Sequence, residues 1–113
     1  MRIYQRTIAT WVQFSGTGLH TGMPVFARIL PAAPDTGIVF RRTDIGADIP
    51  ASVENVVETS YATVLSSVGA KISTVEHFLA ALYGMEVDNA IVEVNGPELP
   101  ILDGSALRVA EAI

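Results

Sequence analysis

The chain has 113 residues, half of them apolar and 17% charged, with a net charge of −5 from seven basic against twelve acidic side chains. That size suits one domain with a single core, and the acidity, with no basic cluster beyond Arg41 and Arg42, argues against phosphate backbones and anionic lipid surfaces as partners, nucleic acid included. The absence of cysteine removes disulfides, thiolate nucleophiles and zinc fingers and suits a reducing, cytoplasmic location; no apolar run nears the ~20 residues of a transmembrane segment, and the start MRIYQRTIATW lacks an apolar signal region.

In chain order, TIATWVQF reads as a strand, SGTGLHTG as a glycine-bearing turn, PVFARIL as a second strand, and GIVFRRT as a third after the Pro34-Asp35-Thr36-Gly37 turn signal. SYATVLSS and KIS form a hairpin through Val68-Gly69-Ala70. A helix follows from Ser73 to about Tyr83, with Val75, Phe78, Leu79 and Leu82 as its buried stripe and Gly84 to end it. NAIVEVN is a strand and GPELPILDGSA a loop. SALRVAEAI starts a last helix capped by Ser105 or Asp103. Strands followed by two late helices give an α+β, two-layer domain: one mainly antiparallel sheet with the helices on one face.

The stretch STVEHFLAAL carries the chemistry worth weighing. Ser73 and Glu76 fit the S-x-x-E capping box, in which both side chains satisfy backbone N–H groups at a helix start; this needs no catalytic role for Glu76. At ~100° per residue the helix places Ser73, His77, Ala80, Ala81 and Gly84 opposite the apolar stripe. That face has no charged residue, so His77 sits on a surface covered by something else. A lone histidine is more often a satisfied polar residue than a ligand. Catalytic zinc takes three protein ligands and an open position, and with His20 and His77 as the two histidines the remaining ligands would come from elsewhere. Beside such a site Glu76 suits a general base, its ionised form favoured by the helix N-terminus. The glycines of SGTGLHTG fit a hairpin needing φ > 0 better than a nucleotide loop, and His20 is then a turn residue or a proton donor over a pocket. Arg41 and Arg42 pair across strands in preference to meeting an anionic ligand.

Taken together, SGTGLHTG, VFRRTD, ISTVEHFLAAL and VDNAIVEVNGPELPILDGSA, in this order and spacing, closely resemble the N-terminal half of the UDP-3-O-acyl-N-acetylglucosamine deacetylases, zinc hydrolases of lipid A synthesis in Gram-negative bacteria. The resemblance covers essentially all of residues 1–113. It implies one half of a two-domain β-α-α-β sandwich, with the helices between two sheets, the active site between the domains and the C-terminal domain absent here. It implies zinc as cofactor, UDP-3-O-acyl-N-acetylglucosamine as substrate, His77 as a zinc ligand and Glu76 as the general base. It also implies that Ser60, Tyr61 and Ala62 line the substrate site, with Ala62 standing where many members have cysteine, and that His20 is a second-rank site residue. The other two ligands, a histidine and an aspartate in H-x-x-x-D, and a further catalytic histidine and lysine belong to the family's C-terminal domain. On this reading the chain alone is inactive, and its partner is that domain or a second copy laid over the helix layer. The rival reading is a non-catalytic short relative, a self-associating or partner-binding module.

Overall fold

A computed structural model describes residues 4–18, 21–52, 55–58, 63–67, 69–102 and 106–113. They build an α+β unit. Its main sheet has the order β1 (Val12–Thr17), β2 (Pro24–Pro31), β8 (Ala90–Val94), β3 (Ile38–Arg42) and β4 (Ala47–Pro50), antiparallel except where β8 runs parallel to β3. A second, three-stranded antiparallel sheet joins β5 (Val56–Glu58), β6 (Thr63–Ser67) and β7 (Ala70–Ser73). The helices are α1 (Glu76–Gly84) and α2 (Leu107–Ala112).

Strict alternation gives the main sheet one dry face. The register sets Ile29, Val92, Phe40 and Ile49 abreast across four strands, all without exposed surface. One residue out of phase, Gln13, Arg28, Glu93, Arg41 and Asp48 form a polar row across all five strands on the other face. Helix α1 packs under the dry face through Phe78, whose ring meets that of Phe14 edge-on at 5.5 Å, and through the fully buried Leu82. Each such side chain contributes about 1.5–3 kcal/mol of transfer free energy.

Several boundaries differ from the sequence reading. Residues 7–11 are not strand: the Thr7 hydroxyl donates to the Asn89 carbonyl and accepts from the Ala32 N–H, which fastens this segment across the strand ends, and β1 instead runs on through Ser15, Gly16 and Thr17. Strands β4 and β5 were not anticipated, since ADIP and VVE are too short to display a period. The sheet is therefore two sheets. The Val68-Gly69 hairpin is present, with Ser67 paired to Ala70 and Gly69 at φ 79°; Val68 lies outside the described residues. Helix α1 ends at Gly84 as expected, but the left-handed residue of its closure lies two positions on: Met85 is the C-cap, Glu86 takes φ 59°, and the N–H groups of Glu86 and Val87 reach back to Tyr83 and Leu82, a Schellman closure made without glycine. The N-cap of α2 is Ala106, without a side-chain cap bond; Asp103 and Ser105 lie outside the described residues.

The capping box does not form. Ser73 is the last residue of β7, its N–H and hydroxyl both donating to the Pro97 carbonyl, and Thr74 at φ 62° breaks the backbone before the helix begins. The N-cap is Val75, with no side-chain cap bond, so Glu76 is the first helical residue and not the third. This later start also resolves the uncharged face into two parts: His77 and Ala81 are buried within the chain's own packing at 4% and 2% exposure, whereas Ala80 and Gly84 are exposed. Ala81 thus belongs to the core, not to a surface awaiting a second layer.

Candidate active site

The head of α1 is built by three segments that the chain brings together from a distance. β7 delivers Ser73, β1 delivers Thr17 and Gly18, and residues 97–101 thread between them. Ser73 bridges Glu98 in parallel, Gly18 bridges Pro100 antiparallel, the Leu99 N–H donates to the Ser73 carbonyl and the Ile101 N–H to that of Thr17. The ELPI segment is thus a short strand-like lace, not a free loop.

That lace fixes His77. Its Nε2 lies 2.7 Å from the carbonyl oxygen of the buried Pro100. A carbonyl can only accept, so Nε2 carries a proton and the neutral ring keeps its lone pair on Nδ1. Nδ1 makes no hydrogen bond among the described residues. An imidazole held through one N–H by a backbone carbonyl is how metal-binding histidines are commonly oriented. The ring also meets Phe78 edge-on at 4.8 Å. The preceding residue, Glu76, is exposed in the first turn, where the helix dipole favours a carboxylate. The residues present therefore fit one imidazole ligand beside a solvent-accessible carboxylate. Among the described residues no three His, Asp or Glu side chains cluster to hold a metal.

Of the other expected site residues, His20, Ser60, Tyr61 and Ala62 all lie outside the described residues. The arginines pair within the chain: Arg41 donates to both carboxylate oxygens of Asp48 on the neighbouring strand, at 2.8 and 3.2 Å, and Arg42 donates to both oxygens of Asp44, at 3.2 and 2.6 Å, and to the Lys71 carbonyl. These bonds hold the Asp48 and Asp44 carboxyls below the usual carboxylate range and push the Arg41 guanidinium up. Sequence reasoning passed over Glu98 and Thr74, both buried at this site, and misread Gly18. Gly22 does take φ 68°, but Gly18 is needed for room: a Cβ there would lie 2.3 Å from Glu98 Oε1. A single acid between two prolines in an otherwise apolar run, GPELPIL, was the available signal.

The chain matches the family model for LpxC, UDP-3-O-acyl N-acetylglycosamine deacetylase, over residues 5–113. It belongs to this family. Among curated relatives, a UDP-3-O-acyl-N-acetylglucosamine deacetylase of Anaeromyxobacter dehalogenans is 53% identical over 102 residues, covering 90% of this chain and 33% of that protein. One of the same name from Brucella melitensis biotype 2 is 47% identical over 115 aligned positions, covering 100% of this chain and 40% of the relative. The chain spans between a third and two-fifths of the length of these relatives. No helix among the described residues is long and apolar enough to cross a membrane.

Proposed function

We propose that this chain supplies the N-terminal part of the active site of a zinc-dependent hydrolase that removes the acetyl group from the nitrogen of UDP-3-O-acyl-N-acetylglucosamine, in the cytoplasm and on the way to lipid A. The observation that carries the reading is the pinned imidazole: His77 gives Nε2–H to Pro100, which leaves the lone pair on Nδ1, and the residue before it, Glu76, is exposed. The family membership and the names of the relatives support the substrate class.

His77 would be one of the residues holding zinc, through Nδ1, with the remaining ligands on a C-terminal domain. Bound there, zinc supplies Lewis-acid polarisation of the amide carbonyl and a water acidic enough to be activated at neutral pH. Glu76, in the first turn of α1, would take the proton from the attacking water on its carboxylate. The Pro100 carbonyl keeps the ring from rotating as charge develops beside it.

The test is acetate release from UDP-3-O-acyl-N-acetylglucosamine by the native-length protein, or by this chain supplemented with the C-terminal part of a longer relative. Glu76→Ala should keep the metal and lose most of the rate. No release in either format would refute the proposal, and equal metal loss in Glu76→Ala and His77→Ala would refute the role of Glu76 as base.

A further inference from the structure

Glu98 is the one acidic residue buried among the described residues, at 3% exposure. A carboxylate taken out of water costs several kcal/mol unless hydrogen bonds replace its hydration. Here they do. The Thr21 N–H donates to Oε1 at 3.1 Å and the Thr74 hydroxyl to Oε2 at 3.0 Å. Both donors are themselves constrained. Thr74 is fully buried with φ 62°, a strained conformation for a β-branched residue. Gly18, across the same carboxylate, has no space for a Cβ. Core packing by itself asks for none of these features, since an apolar side chain would fill the volume without them.

What the carboxylate joins suggests its use. Thr21 stands next to Gly22, whose N–H donates to the Gly18 carbonyl. Thr74 sets the left-handed bend from which α1 starts, two residues before Glu76. Two residues along its own strand, Pro100 receives His77. We propose that Glu98 is a positioning residue: by tying Thr21 to Thr74 it sets the aim of Glu76 and His77. The inference rests on the proposed roles of Glu76 and His77, while its structural half can be read without turnover.

The experiment compares Glu98→Ala and Glu98→Gln in the native-length protein, by amide hydrogen exchange, by the ring NMR signals of His77, and by kcat and KM. In Glu98→Ala the Thr21 amide should exchange at least ~10-fold faster, matching the loss of a charge-assisted bond. The His77 ring signals should shift, and kcat should fall at least ~10-fold while KM changes less than about threefold, because alignment and not substrate affinity is lost. Glu98→Gln should restore all three. Its carbonyl can accept from Thr21, and Thr74 can rotate its hydroxyl to accept from the amide.

Unchanged Thr21 exchange and His77 signals in Glu98→Ala would overturn the proposal, as would a Glu98→Gln variant as impaired as Glu98→Ala. If Glu98→Ala does not fold, Gly18→Ala forces the same carboxylate aside and should give the same exchange and ring signatures; wild-type signatures there would also overturn it. An inactive wild type would remove the proposed deacetylase function and leave the exchange and ring measurements to decide the clamp.

Discussion

Replacing His77 in two ways separates the jobs of its two ring nitrogens. His77→Ala removes the only proton that the Pro100 carbonyl receives from this ring, at 2.7 Å, together with the edge-on contact to Phe78. A buried acceptor left without its donor costs about 1–3 kcal/mol, and an aromatic pair of this geometry about 0.5–1.5 kcal/mol. The sum, about 1.5–4.5 kcal/mol, is a large share of the roughly 5–15 kcal/mol that holds a domain folded. His77→Gln is different. A glutamine amide nitrogen reaches about as far from the backbone as Nε2, so it can still donate to Pro100, and the cost should stay below about 1.5 kcal/mol. It offers nothing in place of Nδ1. Urea unfolding should therefore rank the variants wild type, Gln, Ala, whereas zinc retained after dialysis should be lost from both. Equal destabilisation by Gln and Ala would refute the donor role assigned to Nε2, and full zinc retention by the Gln variant would refute the ligand role assigned to Nδ1.

Two neighbouring alanines test the rotation of α1: Ala81→Glu places an unpaired charge in the core and should cost several kcal/mol or prevent folding, whereas Ala80→Glu, on the exposed side, should stay within about 0.5 kcal/mol in urea melts. Comparable costs at the two positions would contradict the helix placement. Acid should weaken the fold through Asp44 and Asp48, whose folded-state pKa values lie below the ordinary 3.8; their contribution is fully present above that value and is lost as pH falls through the lowered ones. The Asp44→Asn/Asp48→Asn double variant should be less stable than wild type at neutral pH, by no more than about 1 kcal/mol per exposed pair, and its urea midpoint should fall less on acidification; parallel curves would refute the linkage. Phe40→Ala, emptying a site flanked by Ile49 and Val92, should cost about 3–5 kcal/mol by the same melts.

The alternation in PVFARIL, GIVFRR and AIVEV was enough to give three strands, because a period of two is a local property that burial on one face imposes directly. Of the stripe Val75, Phe78, Leu79 and Leu82, three are fully buried for the same reason and Leu79 is half-buried against the core. The start of the helix was misplaced by reasoning of the same local kind. S-x-x-E looks like a capping box to any four-residue window, yet Ser73 spends its hydroxyl and N–H on Pro97, 24 residues away, and its carbonyl on Leu99. Those bonds need the return strand in place before they exist, so nothing near Ser73 announces them.

The same long-range lace accounts for what the sequence concealed at the site. Glu76 and His77 are legible because they are adjacent, and their pairing with the rest of the family's motif is a matter of order along the chain. What orients them is not local: Pro100 holds the ring, Glu98 holds the bend at Thr74, and Gly18 leaves the room that Glu98 fills. A residue whose job is to satisfy a partner far along the chain carries no periodicity and no motif of its own. It appears in sequence only as an incongruity, here an acid between two prolines in an apolar run. Incongruities of that sort are where a buried polar contact has displaced the cheaper apolar choice. At this site they trace to the packing around the head of α1, where Glu98 meets Thr74 and leaves Gly18 no room for a side chain.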